Sequence, residues 1–398
     1  MDTTWVKIPD VLFFQEGPGV RNTQYTEQGV KLLNVANLVD GNVDLSTSDR
    51  YISEEEAYGK YKHFLCDAGD FIVASSGIKV EYIDKKMGFI DKTMLPLCMN
   101  TSTIRFKVLD KSKLNIRYFM YYLKTHHFKD QLAIHITGSA QLNYGPSHLK
   151  KMTMPLIELD KQQEIVSTLD KLQSIITHRR TQLEKLDLLV KARFVEMFGD
   201  PVLNEKGWKC KRLLDMGSCK NGMNFHYNDS GIEINCLGVG DFKDFSTIND
   251  TSLLPVVSLN EMPSEEYLLK NDDIVFVRSN GNKALVGRSV AVYPNDTPTT
   301  FSGFCIRYRL QDTSVSVPYL LRVLKSDDMR LKMAGRGANI QNLNQQILGT
   351  LIIPVPPIEL QNQFADFVKQ VDKSRVAIQN DLEQAQMLFD SLMQEYFG

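Results

Sequence analysis

Residue types that catalyse reactions occur in this chain, but none of them has the spacing that a catalytic site requires. Residues 217–222 have the glycine spacing of a phosphate-binding loop, but Met223 follows where that loop carries lysine. Residues 238–240 form a lone GxG, which is weak evidence for dinucleotide binding. The Pro-Pro pair at 356–357 lacks the flanking residues of an amino-methyltransferase motif, and Pro9-Asp10 lacks those of a nuclease. The histidines show no metal-ligand spacing, so we predict no catalytic residue and no metal site.

Charge is the other chemistry that the sequence offers, and it is unevenly distributed. Residues 1–59 carry four basic and ten acidic side chains, whereas residues 60–151 carry fifteen basic and seven acidic ones. Residues 202–265 carry six basic and nine acidic side chains, and residues 270–336 carry eleven and six. The net charge of −2 therefore hides a basic stretch in each half of the chain. Such stretches are the electrostatic footprint of nucleic-acid binding.

The composition is typical of a folded protein with two or three domains, at 398 residues, 43% hydrophobic and 24% charged. No apolar run approaches the roughly 18 residues that span a bilayer, and the first residues lack a signal-peptide pattern. The six cysteines are scattered, without a CxxC pair. We therefore expect a cytoplasmic protein with no membrane contact.

The chain reads as a tandem repeat of low identity. The matched positions keep their order and spacing in both copies: Trp5 with Trp208, 71–77 with 275–281, 104–106 with 306–308, and 138–155 with 337–354. Each copy combines short β-rich runs, such as residues 304–310, with a helical patch. We predict an α+β fold in which two similar small domains each hold a mixed or antiparallel sheet.

A long helix with a coiled-coil seam follows each globule. Its apolar residues recur at alternating steps of four and three, which is narrower than the stripe of a helix on a globular core. The predicted seam residues are Ile165, Leu169, Leu172, Ile176, Leu183, Leu186, Val190, Phe364, Val368, Val371, Ile378, Leu382, Phe389 and Leu392. Arg179 and Arg193 interrupt the first seam. Since pairing the two helices buries both seams, we predict an intramolecular antiparallel coiled coil that separates the globules.

The resulting order is globule 1–154, helix 155–200, globule 201–353 and helix 354–398. This order resembles the specificity subunit of type I restriction–modification systems. The resemblance rests on the tryptophan near the start of each repeat, on Asn143 and Asn342 in Gly-containing segments, and on the helix-closing Phe-Gly. It also rests on the prolines that precede Gln162 and Gln361, although the first helix entry, MPLIELDKQQ, departs from the proline-rich PVPPIELQNQ of the second.

The resemblance implies that each globule is a target recognition domain that reads one half of an asymmetric two-part sequence in double-stranded DNA. The helices would set the spacer and dock two methyltransferase (M) subunits, and restriction/translocase (R) subunits would join that core. The chain itself would catalyse nothing and hold no cofactor. S-adenosylmethionine, ATP and Mg would be bound by the partner subunits.

The side chains expected to contact DNA are those suited to phosphates, mainly Lys and Arg, and to base edges, mainly Arg, Asn, Gln and Ser. The candidates in the first globule are Ser75, Ser76, Lys79, Gln141, Asn143, Tyr144, Lys150 and Lys151. The candidates in the second are Arg278, Ser279, Asn280, Asn282, Lys283, Arg336, Asn339, Gln341 and Asn342. At each position a turn-forming role is the alternative, since Asn and Ser beside glycine commonly form turns.

Two other functions are compatible with the sequence. A structural coiled-coil adaptor that bridges two protein partners without reading DNA would explain the helices, but it would leave the basic stretches without a role. A stand-alone restriction enzyme would need catalytic motifs that the sequence does not show.

Overall fold

The computed structural model describes residues 3–135, 142–225, 230–242, 247–334 and 342–398, with the backbone alone at positions 135, 142, 283 and 334. The chain forms two compact units. The first comprises residues 1–180 and 380–398, and the second comprises residues 181–379. Each unit therefore contains part of both long helices.

The first unit is built from short strands and short helices. Its strands are β1 (Thr4–Lys7), β2 (Leu12–Glu16), β3 (Val30–Leu33), β4 (Leu38–Val39), β5 (Asn42–Val43), β6 (Tyr51–Ile52), β7 (Phe71–Ala74), β8 (Ser76–Ile78), β9 (Met87–Phe89), β10 (Leu97–Met99), β11 (Thr103–Val108), β12 (Leu142–Asn143) and β13 (Thr153–Leu156). Its helices are α1 (Ile8–Val11), α2 (Glu54–Tyr58), α3 (Ile116–Leu123), α4 (His126–His135), α5 (Pro146–Leu149) and the first part of α6 (Leu159–Phe198).

The main sheet of the first unit is antiparallel, with strand order β2-β11-β7-β9. A smaller sheet, β10-β3-β6, is mixed, because β3 pairs parallel with β10 and antiparallel with β6. The core lies between the main sheet and α3, where Phe119 packs on Phe106 with 5.1 Å between ring centroids. Helix α3 begins at the Asn115 cap, whose side chain accepts the Arg117 N–H at 2.9 Å.

The second unit repeats this set of elements. Its strands are β14 (Lys209–Arg212), β15 (Gly217–Asn221), β16 (Ile232–Leu237), β17 (Thr247–Ile248), β18 (Val256–Leu259), β19 (Asp273–Val277), β20 (Ser289–Val292), β21 (Thr299–Phe301), β22 (Cys305–Leu310) and β23 (Ile352–Val355). Its helices are α7 (Val317–Leu324), α8 (Asp327–Ala334), α9 (Gln345–Gly349) and the first part of α10 (Ile358–Phe397).

The sheets of the second unit have the topology of the first. The main sheet is β15-β22-β19-β20, extended by β17, and the smaller one is β18-β16-β21 with one parallel and one antiparallel pair. Strand β14 pairs antiparallel with β23, as β1 does with β13. The predicted fold of two similar small-sheet domains in tandem is therefore confirmed.

The strand register corrects one of the predicted matches by one residue. Phe71 lies opposite Phe106, whereas Ile274 lies opposite Tyr308, so the partner of Phe71 in the repeat is Ile274 and not Val275. A shift of one residue reverses which face of the sheet every side chain points to. Apolar residues fill both runs continuously, so the sequence pattern does not fix this register.

The two tryptophans are not equivalent either. Trp5 lies opposite Pro155 and Cys210 lies opposite Pro354, which places Trp208 two residues earlier in its repeat than Trp5. Trp5 packs on His127 at a tilted angle, with 4.6 Å between ring centroids. The Trp208 indole N–H instead donates to the Phe198 carbonyl at 3.0 Å and so caps the end of α6.

Within each unit the two long helices run antiparallel. In the first unit, Arg179 of α6 pairs with Asp381 of α10 at 3.0 Å. In the second, Asp187 of α6 pairs with Arg375 of α10 at 2.6 Å. Both arginines lie at polar positions of the seam and meet a carboxylate on the opposite helix. The predicted seam residues are all buried or half-buried.

The last turn of each long helix packs a phenylalanine on a tyrosine of α3 or α7. In the first unit, Phe397 packs on Tyr118 with 5.0 Å between ring centroids. In the second unit, Phe198 packs on the equivalent Tyr319 at 4.8 Å. The Phe-Gly that closes each helix therefore has a packing role. None of the helices among the described residues is long and apolar enough to cross a membrane.

A buried glutamine anchors the start of each long helix. The Gln162 side chain accepts the Asn115 N–H at 2.9 Å and donates to the carbonyls of Lys113 and Ile157, both at 2.8 Å. Gln361 makes the same three bonds to the Ser316 N–H and to the carbonyls of Ser314 and Pro356. Each glutamine therefore fixes the helix to the loop before α3 or α7.

Candidate nucleic-acid interface

Three segments of the first unit meet at one edge beside the end of β7. The Ser75 N–H donates to the Ser102 carbonyl at 2.8 Å, and the Tyr144 N–H donates to the Ser75 carbonyl at 2.9 Å. Ser76 lies opposite Asn143 in the β8–β12 pair. The structure thus brings the predicted Ser75 and Ser76 together with the predicted Asn143 and Tyr144, which lie almost 70 positions later in the sequence. We call this the first edge.

The side chains at the first edge differ in their access to a ligand. Ser75 and Tyr144 are buried, and their hydroxyls have no hydrogen-bond partner among the described residues. Burial also raises the pKa of the Tyr144 phenol, which is therefore neutral at physiological pH. Ser76 is half-buried and Asn143 is exposed, as is Lys79. Of these residues, Ser76, Lys79 and Asn143 are therefore the ones accessible to a ligand.

A short 3-10 helix after β8 adds two side chains that the sequence did not indicate. Gly77, at φ +75°, turns the chain towards this helix, residues Val80–Lys85. Ile83 is buried and Asp84 pairs with Lys129 at 3.1 Å, so the segment is anchored at its base. Tyr82 remains 47% exposed, with the Lys85 ammonium 5.6 Å from its ring centroid. An exposed aromatic ring and a cation side by side suit contact with bases and phosphates.

Lys150 and Lys151 occupy a different segment, the turn that follows α5. Their N–H groups donate to the carbonyls of Pro146 and His148, and both side chains are exposed. Between this turn and the first edge lies Glu16, at the end of β2, whose pKa is raised by burial. A Cβ on Gly145 would lie 3.3 Å from the Glu16 carboxylate. Glu16 opposes phosphate binding here, although a carboxylate can accept from the amino group of cytosine.

The second unit has an equivalent edge with other side chains. The Arg278 N–H donates to the Phe304 carbonyl at 2.7 Å, and the Leu343 N–H donates to the Arg278 carbonyl at 2.8 Å. These two bonds match those of Ser75 and Tyr144 in the first unit. They bring Arg278, Ser279 and the exposed Asn342 together, and we call this the second edge.

Asn280 and Asn282 form turns at the second edge. The Asn280 side chain accepts the Asn282 N–H at 2.7 Å, and the Asn282 side chain accepts the Ala284 N–H at 3.1 Å. These bonds are the turn-forming alternative considered for both residues. The Lys283 side chain and the predicted Gln141, Arg336, Asn339 and Gln341 lie outside the described residues.

The most exposed apolar side chain beside the second edge was not predicted as a contact. The sequence pattern placed Phe304 inside a strand, but β22 begins at Cys305 and Phe304 lies in the turn before it, 60% exposed. Its neighbour Cys305 is buried. An apolar run in a sequence does not reveal which of its members lies in the turn, so no sequence signal could have found this residue.

Comparison with known proteins decides the family. The model of the type I restriction modification DNA specificity domain matches the chain twice, over residues 6–186 and 205–385. The chain belongs to this family. The two specificity domains correspond to the two halves of the repeat, and the resemblance seen in the sequence is confirmed.

Several curated specificity subunits are similar to this specificity-domain protein. The StySPI specificity subunit of Salmonella potsdam is 24% identical over 300 residues, which are 70% of this chain and 64% of that protein. The MjaVIII specificity subunit of Methanocaldococcus jannaschii is 23% identical over 46% of this chain and 42% of its own length. The putative MjaX specificity subunit of the same organism is 26% identical over 48% of this chain and 45% of its own length. The chain thus matches less than two thirds of each relative's length.

Solved structures share the fold over the whole chain. The S subunit of a type I restriction–modification system from M. genitalium has a TM-score of 0.60 at 16% identity, covering 100% of this chain and 97% of that one. A second structure concerns complex assembly and conformational transition of the type I R-M system. Its TM-score is 0.55 at 15% identity, covering 99% of this chain and 97% of that one. The family match therefore places two specificity domains in one chain, and these structures share its fold.

Proposed function

We propose that this specificity subunit reads an asymmetric two-part target in double-stranded DNA, with one half bound at the first edge and the other at the second. The observation that carries the proposal is the pair of edges. The same backbone hydrogen bonds hold Ser75 and Tyr144 in one unit and Arg278 and Leu343 in the other. Equivalent frames that present different polar side chains are expected to read different sequences.

The two long helices are proposed to set the unread spacer and to dock two M subunits. Both helices carry apolar side chains that are exposed in this chain and available to a partner surface. The exposed apolar residues are Ile175, Leu188, Leu189, Val195, Val376, Met387 and Leu388. R subunits would join the complex. The partner subunits would bind S-adenosylmethionine, ATP and Mg. The complex would act in the cytoplasm.

Docking on the helices is testable at Leu188, which is 65% exposed. We expect Leu188→Asp to leave the melting temperature within about 2 °C, since exposed substitutions change stability little. Co-purification of M subunits should fall at least tenfold. Leu203→Asp is the matched control, because Leu203 is 69% exposed but lies beyond the end of α6. Equal co-purification with both variants would contradict docking at this position.

DNA binding by the assembled complex tests the proposal against the adaptor alternative. The complex of this chain with its M subunits should bind duplex DNA with an affinity that falls linearly on a log–log plot against salt. M subunits without this chain should lose the preference for particular duplexes. An adaptor without DNA readout would leave that preference unchanged when the chain is added.

A further inference from the structure

Phe304 is an apolar side chain kept at the surface by its position in a tight turn. It lies between β21 and β22 and is 60% exposed, whereas Phe301 and Cys305 on either side of the turn are buried. A phenylalanine ring left in water forgoes the favourable transfer into a core. The exposed ring is therefore accessible to a ligand that binds at the second edge.

The turn that carries Phe304 is held rigidly. The Gly303 N–H donates to the Met223 carbonyl at 2.5 Å, and the Met223 N–H donates to the Phe301 carbonyl at 3.0 Å. A Cβ on Gly303 would lie 2.1 Å from the Asn224 side-chain oxygen, so no larger residue fits at that position without displacing this contact. Because the backbone is fixed on both sides, little order has to be gained when the ring meets a ligand.

The neighbours of Phe304 are of residue types that can recognise base edges. Its carbonyl accepts the Arg278 N–H at 2.7 Å and the Ser279 N–H at 3.3 Å. In the major groove, arginine recognises guanine, and serine can bond to several bases. The apolar group exposed in that groove is the 5-methyl group of thymine, which phenylalanine contacts. A phenyl ring that lies beside these polar side chains is therefore suited to contact a thymine methyl group.

We infer that Phe304 recognises the 5-methyl group of one thymine in the half-site bound at the second edge. This inference rests on the proposed function, because it assigns a base to a reader whose role in DNA binding is itself proposed. The first edge differs at the equivalent position, where Ser102 accepts the Ser75 N–H. Serine offers no ring, so the half-site bound at the first edge has no thymine requirement from this position.

Removing the methyl group from the DNA tests the inference directly. Once the target is mapped, each thymine of the second half-site is replaced in turn by deoxyuridine, and binding of the complete complex with M subunits is measured by competition. We expect one position at which the wild-type complex binds deoxyuridine about fourfold more weakly, the equivalent of one buried methyl-sized group. The Phe304→Ala complex should bind thymine and deoxyuridine equally at that position.

Two controls separate the ring from general effects of truncation. Leu253→Ala removes an apolar side chain that is 83% exposed in the same unit and should keep the deoxyuridine sensitivity. Phe304→Leu keeps an apolar group and should retain part of the deoxyuridine sensitivity. Melting temperatures show whether each variant folds. If Phe304→Ala does not fold, the deoxyuridine profile of the wild-type complex still tests whether any thymine methyl group contributes to binding.

The inference is overturned if no thymine position couples to Phe304, or if the second half-site contains no thymine on either strand. A Phe304→Ala complex that weakens binding equally for every sequence would also overturn it, since that pattern indicates a wedge or a packing role. If the wild-type complex shows no two-part preference at all, the proposed function fails first, and this outcome is distinct from the others.

Discussion

At the residue scale, the two edges show how one backbone arrangement can present two chemistries. Asn143 and Asn342 precede Tyr144 and Leu343, whose N–H groups make equivalent bonds to Ser75 and Arg278. Their roles as contacts were expected from residue type alone. The burial of Ser75 and Tyr144, and the exposure of Phe304, depend on contacts between segments that a linear pattern does not contain.

Substituting the two asparagines should affect the two half-sites separately. Asn143→Ala should relax base preference at one position of the half-site read by the first unit, and Asn342→Ala at one position of the other. Each should cost about 1–3 kcal/mol in discrimination, because the amide of asparagine pairs bidentately with adenine. Binding selection from a randomised target measures both, and each variant is the control for the other. Loss of preference in both half-sites with either variant would contradict separate readers.

Lys325 should make the stability of the second unit depend on pH. Burial, together with the nearby Arg322, lowers the pKa of its ammonium from 10.5 to about 8. Between these values the unfolded chain binds a proton that the folded chain does not, so stability rises with pH in this window. Lys325→Met should therefore stabilise the protein by about 1–3 kcal/mol at pH 7 and by less at pH 9.5.

Chemical denaturation of wild type and variant at both pH values measures this difference. Lys373→Met, at an exposed lysine of α10, is the control and should show no such change. A stabilisation by Lys325→Met that is equal at pH 7 and pH 9.5 would contradict the assignment.

At the element scale, the long helices were the most predictable part of the chain. Their apolar steps of four and three indicated a seam, and Arg179 and Arg375 meet aspartates on the opposite helix. The sheets were less predictable, since continuous apolar runs such as residues 71–74 do not fix a register. The role of Gln162 and Gln361 also required the structure, because their partners lie about 45 residues earlier in the chain.

Each buried glutamine should be essential for docking its helix. Gln162→Leu would leave the Asn115 N–H and two carbonyls without their partner, at about 1–3 kcal/mol for each unsatisfied group. Gln163→Leu, at the exposed neighbour, should change the free energy of unfolding by less than about 0.5 kcal/mol. Denaturant unfolding compares the two variants. Similar stabilities of the two variants would show that the three hydrogen bonds add little to the free energy of unfolding. Comparing Gln361→Leu with Gln363→Leu repeats the test in the second unit.

At the scale of the whole molecule, the repeat is the feature that would let a single chain read the proposed asymmetric target. Two units of one topology have diverged at the side chains of their edges, while the anchoring glutamines are the same in both. Sequence order alone predicted the duplication and the family. The bases that each edge is proposed to read would depend on contacts with DNA, which neither the repeat nor the seam encodes in a linear pattern.

The helices should act as the ruler between the half-sites. Inserting four residues into both helices lengthens each by about 6 Å, which corresponds to roughly two base pairs. The unread spacer in the mapped target should lengthen accordingly, while both half-sites keep their sequences. Insertion of four residues into the loop 203–206, outside the helices, should leave the spacer unchanged. An unchanged spacer after the helix insertions would show that the helices do not set it.

The most direct measurement is a genome-wide map of methylated bases in cells that express this chain together with its M subunits. We expect modification at one asymmetric motif made of two blocks separated by a fixed number of unread base pairs. Modification at a single uninterrupted block, or without dependence on this chain, would contradict the account.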